Sequence, residues 1–169
     1  IEKLKVYKTD NTSFDAYCVD YDQNNYTFLK DLTNAEELNI PASEILYIES
    51  KLTPAGLTSE MKEGAVNLKW SDVNEKIKSY RVYNRKKGDA EYTLSGETDK
   101  AEYSIRGLES GTEYEILVRS MTQDGFESFP GKAFSVTTIN LPPDRPGIVT
   151  EKSSSGSEIV ITWGESKDK

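Results

Sequence analysis

The stretch "GLESGTEYEILVRS", residues 107–120, decides how the middle of this chain is read. It leaves a Gly-containing turn at Thr112 and then alternates, placing Tyr114, Ile116, Val118 and Ser120 on one side of an extended backbone. A period of two is the signature of a strand with one face turned to a core. The surrounding sequence repeats this grammar. "AVNLKW" puts Val66, Leu68 and Trp70 on one face. "YRVYNRKKGDAEYTL" reads as a strand, a turn at Lys87-Gly88-Asp89 and a return strand, with Tyr80 and Val82 facing inward. "AEYSIRGL" offers Tyr103, Ile105 and Leu108; "QDG" turns the chain, and "AFSVTT" adds Phe134 and Val136. About seven strands in about ninety residues is the count and spacing of a two-sheet β-sandwich.

Residues 52–140 resemble a fibronectin type III domain, a seven-stranded immunoglobulin-like sandwich. The resemblance rests on Pro54 at the start, Trp70 on the second strand, the pair Tyr80 and Val82, the coupled group Leu108, Thr112 and Tyr114, and the Gly125 turn. It implies that Tyr114 is a tyrosine corner, its ring in the core and its hydroxyl bonded to backbone near the turn that leads into its strand. The predicted structural core is Trp70, Tyr80, Val82, Leu108 and Tyr114, with Trp163 in the second copy described next.

The third segment, from 141 onward, echoes the start of the second. "RPGIVTEKSSSGSEIVITW" aligns with "TPAGLTSEMKEGAVNLKW", so that Pro146 answers Pro54 and Trp163 answers Trp70. An offset of roughly ninety residues is a repeat of sandwich size. Only two strands of this second copy, residues 141–169, are present, too few to enclose a core. "NLPPDRPG" reads as the linker before it. Residues 1–51 read as about five short strands, in "KLKVYKTDN", "SFDAYCVDYD", "NYTFLKD", "ELNIPASEI" and "LYIES". Phe14, Ala16 and Cys18 share one face; Tyr17, Val19 and Tyr21 share the other. Two partly apolar faces suit a small, strongly curved β-barrel, and the segment is similar in pattern to an SH3-like or Sm-like barrel; the alternative is the tail of a larger β domain. The one helical candidate, "TNAEEL" at 33–38, is a single capped turn or a hairpin tip. The expected fold class is all-β throughout.

The chain is acidic, with net charge −8 and pI near 4.7. That repels phosphate backbones and argues against a nucleic-acid partner. No apolar run is long enough for a membrane-spanning helix, so no membrane insertion is expected. There are no histidines, which removes the commonest general base and metal ligand. A single cysteine, Cys18, permits no internal disulfide. No catalytic constellation, phosphate loop, cofactor motif or metal site is read from the sequence. The chain opens on Ile1 rather than Met and reads as a piece of a longer or processed protein.

The remaining candidates each have a plain reading. Cys18 is expected to be a buried, inert small apolar residue rather than a reactive thiol. "KGD" at 87–89 is hairpin-turn chemistry rather than a recognition tripeptide. Asn11 and Asn25 begin Asn-x-Ser/Thr acceptor patterns in predicted turns. "DYDQNN", residues 20–25, lacks the spacing of a calcium loop and reads as a polar turn. The loop carrying Asp124, Phe126 and Phe129 is the candidate contact surface. Two aromatics there either anchor a partner or stack on sugar, or one of them packs against its own core or the neighbouring domain.

Taken together, the sequence predicts a non-catalytic structural or adhesion fragment of a larger extracellular or virion-surface protein. Its partners would be other protein subunits, neighbouring domains of the same chain, or surface glycan. The alternative is a set of accessory domains of a secreted glycan-degrading enzyme whose catalytic domain lies elsewhere. A eukaryotic-type receptor ectodomain is the third reading; the lack of a cysteine pair weighs against it.

Overall fold

A computed structural model of the chain describes residues 1–62 and 64–138 in full, and 150–155 and 158–162 as backbone. The described residues are all-β, in four antiparallel sheets.

The first sheet is built from β1 (Leu4–Lys8), β2 (Ser13–Tyr21), β3 (Asn25–Leu29), β4 (Glu37–Pro41) and β5 (Ile45–Glu49), in the order β4-β3-β2-β1-β5. Four strands follow one another as hairpins, and the fifth returns to pair with the first. The strands are short because turn chemistry interrupts them. Asn11 takes a left-handed φ of 67° between β1 and β2, while Asp10 accepts hydrogen bonds from the backbone and hydroxyl of Thr12. Asp22 does the same for the N–H groups of Asn24 and Asn25 between β2 and β3. The Asp22 carboxylate thus closes the turn through backbone. The stretch 33–36 is a loop and not a helix, because Asp31 accepts from Thr33 N–H and closes a local turn. "ELNIPASEI", expected as one strand, breaks at Pro41 into β4, a 3-10 turn over Ala42–Glu44 and the start of β5.

β2 bends where its register against β3 shifts between Cys18 and Asp20. The shift keeps both Cys18 and Tyr21 opposite the inward residues Phe28 and Tyr26 of β3, and it leaves Val19 exposed. The core comprises Leu4, Val6, Ala16, Phe28, Ile40 and Ile48, with Phe14, Cys18, Tyr26, Leu38 and Ile45 partly buried around it.

The second domain has seven strands: β6 (Ala55–Lys62), β7 (Ala65–Ser71), β8 (Ile77–Lys86), β9 (Thr93–Thr98), β10 (Glu102–Arg106), β11 (Glu113–Thr122) and β12 (Phe134–Thr137). They form a three-stranded sheet, β10-β7-β6, and a four-stranded sheet, β12-β11-β8-β9. Alternate residues of both sheets meet in one core: Val66, Leu68 and Trp70 from β7, Tyr80 and Val82 from β8, Ile105 from β10, Tyr114, Ile116 and Val118 from β11, and Val136 from β12. Leu108 packs against it from the β10–β11 turn. Trp70 meets Tyr80 edge to face at 5.3 Å.

The opening stretch now has a physical account. The ring of Tyr114 is buried and its hydroxyl accepts a hydrogen bond from Glu109 N–H at 3.1 Å, holding the β10–β11 turn on the strand it feeds. Thr138 ties the same turn from the other side, through its hydroxyl to the Glu109 and Thr112 carbonyls. The Lys87-Gly88 turn has Gly88 at φ 95° and Asp89 N–H donating to the Lys86 carbonyl.

β13 (Thr150–Ser155) and β14 (Glu158–Thr162) pair as an antiparallel hairpin. Pro146 and Trp163, the landmarks of the sequence echo, lie outside the described residues.

Candidate functional site: the β11–β12 loop at the domain junction

The loop between β11 and β12 begins as a tight turn. Gly125 adopts φ 87°, Gly125 N–H donates to the Thr122 carbonyl, and Phe126 N–H donates to the Thr122 hydroxyl. Asp124 stands exposed at the tip. Beyond the tip the chain runs back along the sandwich and is fastened at each residue. Glu127 pairs with Arg81 at 3.8 Å and Arg119 at 3.7 Å, and accepts from the Tyr83 hydroxyl. Ser128, fully buried, exchanges bonds with Ser120: its N–H donates to the Ser120 carbonyl, and its hydroxyl accepts from Ser120 N–H. Arg119 Nε donates to the Ser128 carbonyl at 2.6 Å.

The next three residues run along the first domain and the connection that leads out of it. Phe129 is only 9% exposed and belongs to the first domain's core, not the second's. Its ring meets Tyr21 at 5.1 Å and Tyr26 at 6.1 Å. The Pro130 carbonyl accepts from Ile48 N–H, so the loop covers the outer edge of β5. Gly131 lies so close to Thr53 that a Cβ there would come within 2.7 Å of its methyl group. The Ser120 hydroxyl donates to the Leu52 carbonyl at 2.6 Å. The connection at 50–53 is itself a closed turn, with Thr53 N–H on the Ser50 carbonyl and Ser50 N–H on the Thr53 hydroxyl.

Of the three loop residues singled out in the sequence, the structure therefore separates the roles. Phe129 packs against the neighbouring domain of its own chain. Phe126 is 36% exposed and rests edge-on against Phe129 at 5.7 Å. Asp124 points to solvent exposure at the turn. The sequence reading missed Ser120, Glu127, Ser128 and Gly131. Ser120 carried a signal: it is the polar residue that ends an otherwise apolar inward stripe.

Cys18 is half-buried, and burial pushes its thiol up to about 11, far from a thiolate. Among the described residues, no group of three or more Cys, Asp or Glu side chains is placed to hold a metal ion.

Comparison with known proteins settles the family. The family model described as "Fibronectin type III domain" matches residues 52–137. The chain belongs to the fibronectin type III family. Fibronectin type III domains are typically structural or adhesion modules and generally non-catalytic. The receptor-type tyrosine-protein phosphatase S of Gallus gallus is 26% identical over 111 residues, which is 64% of this chain. The chain spans only 7% of that relative's length. Among solved structures, the FN5 domain of Drosophila Lar is similar at 22% identity, over 52% of this chain and 96% of that one, with a TM-score of 0.43. A Fn3-like protein from Clostridium thermocellum is similar at 23% identity, over 53% and 94% of the two chains, with a TM-score of 0.44.

Proposed function

We propose that this chain is a non-catalytic spacer and protein-contact segment of a larger extracellular or virion-surface protein, in which the small first domain and the fibronectin type III sandwich move as one stiff body. The observation that carries this reading is Phe129: a residue of the second domain that completes the core of the first. A flexible tether would leave each domain its own closed core and an open linker between them. Here the linker is a hydrogen-bonded turn held on the sandwich by the Ser120 hydroxyl, and Phe129 and the Ile48–Pro130 backbone hydrogen bond join the domains across it. The partial likeness to a receptor-type phosphatase supports an extracellular setting.

NMR relaxation on the whole chain tests the stiffness. Amides of residues 1–51 and 52–138 should share one rotational diffusion tensor, and Phe129→Ala should abolish that sharing. Independent tumbling in the unaltered chain would end this reading.

A further inference from the structure

Two exposed aromatic rings, one from each domain, sit on the same buried ring. Tyr21 is 47% exposed and Phe126 is 36% exposed. Both stand nearly perpendicular to Phe129, at 70° and 76°. Tyr21 is further fixed by stacking on Tyr26 at 5.8 Å. The pair is thus held in place and not free to fold away, and it exists as a pair only because the domains are docked.

Three partly exposed tyrosines of this chain lie under the chain's own cations. Lys3 lies over Tyr17, Lys5 over Tyr7, and Arg85 over Tyr92 at 4.2 Å while its Nε donates to Glu115. Among the described residues, no such cation is placed over Tyr21 or Phe126. Nor can one come from nearby in sequence. Residues 9–29 contain no Lys or Arg but carry Asp10, Asp15, Asp20 and Asp22; residues 120–131 contain none but carry Asp124 and Glu127. Arg119, the cation beside the junction, is engaged by Glu127 and by the Ser128 carbonyl.

Resting on the contact-module reading above, we infer that the Tyr21–Phe126 pair is a docking surface for an arginine-bearing basic segment of a partner protein. The charge complementarity is local, in the base-free acidic segments, and global, in the net −8 of the chain. The flat guanidinium stacks on an aromatic face as Arg85 does on Tyr92, and the acidic sequence flanking both rings favours it over a neutral group.

The test is a titration of the whole chain with a short Arg-Gly repeat peptide, followed by NMR shifts and by calorimetry. Matched Lys-Gly and Glu-Gly peptides and a neutral oligosaccharide serve as competitors. The Arg peptide should bind most tightly, shift the amides around Tyr21 and Phe126, and weaken as salt is raised. Tyr21→Ala and Phe126→Ala should each weaken it roughly threefold to fivefold while leaving the fold and the shared tumbling intact. Three outcomes overturn the inference: unchanged affinity in the folded double variant, preferential binding of the oligosaccharide or the acidic peptide at this pair, or no binding of the Arg peptide. None of them touches the stiffness reading, which the relaxation experiment decides separately.

Discussion

The two domains solve the problem of a small core in different ways. The sandwich of residues 52–138 closes on itself: both sheets supply its ten buried core residues, and every one lies between Val66 and Val136. The core of the first domain is completed from outside it. Its six buried side chains come from five short strands, and the seventh, Phe129, arrives from the other domain. A chain of about fifty residues buries a small share of its surface, so one borrowed aromatic is a large fraction of its core. The difference between a self-sufficient domain and a dependent one is thus a single side chain that reaches across a junction.

The sharpest way to break that comparison is Phe129→Ala. Removing a buried phenylalanine should destabilise the first domain by about 3 kcal/mol or more, enough to unfold most of a domain this small. The sandwich should keep its own urea transition. Cys18 gives an independent readout. Held half-buried with its thiol near 11, it should react with iodoacetamide slowly in the intact chain and much faster in the variant. A variant in which both domains melt together at the original midpoint would show that Phe129 is not what the first domain depends on.

The second prediction tests the self-sufficiency of the sandwich. Gly96 on β9 has the ring of Tyr103 lying directly over it, and the Tyr103 hydroxyl donates to the Ser95 carbonyl at 2.9 Å. A Cβ at Gly96 would collide with the Tyr103 hydroxyl and the ring carbon that bears it, so Gly96→Ala should cost about 2 kcal/mol by overpacking. Pairing it with Tyr103→Leu should recover part of the loss, because the two changes act on one contact. Strict additivity would place the strain elsewhere. The first domain's Phe129 dock lies away from this contact, so Cys18 alkylation should not change.

A third, smaller effect concerns Tyr114→Phe. The ring stays, the hydroxyl goes, and Glu109 N–H loses its acceptor. The expected loss is about 1 kcal/mol in the urea midpoint of the sandwich. An unchanged midpoint would show that water replaces the hydroxyl, and that the turn is held by Thr138 alone.

These contrasts also explain what could be read from the sequence. The sandwich was legible because its determinants are local and periodic: Trp70, Tyr80, Val82 and Tyr114 sit at fixed places on strands whose alternation marks their inward face. The β character of residues 1–51 was legible for the same reason. What completes the first domain was not, because Phe129 lies about eighty residues beyond the last strand it packs against, in a loop whose sequence "DGFESFPG" reads equally well as an exposed tip. Ser120 could have hinted at the junction, since a serine that ends a buried stripe needs a partner. Its partner, the Leu52 carbonyl, is a backbone atom with no sequence signature. The break at Pro41 and the turn at Asp31 show the same limit on a smaller scale: side-chain-to-backbone bonds decide local geometry that periodicity alone cannot.

Acid should separate the two domains weakly and in a definite order. In the first domain, Asp10, Asp22 and Asp31 are each held below the ordinary carboxylate range: Asp10 chiefly by the Thr12 hydroxyl, Asp22 by the Asn24 N–H, and Asp31 by the Thr33 N–H. In the sandwich, Glu97 is lowered, first by the Ser79 hydroxyl and then by Arg81. A carboxylate whose folded pKa is depressed stabilises the fold above its unfolded value, near 4, and that contribution disappears as pH falls through the folded value. All four groups are exposed, so each effect is small. But three turns depend on such carboxylates in the dependent domain and one contact in the self-sufficient one. Amide spectra recorded from pH 6 down to pH 2 should therefore show the β1–β2, β2–β3 and β3–β4 turns loosening before any sandwich strand does. Asp22→Asn, which keeps an acceptor but removes the titrating group, should flatten the acid response of its own turn and leave the others unchanged. Loosening that begins at β9 around Glu97 would reverse the ranking of the two domains.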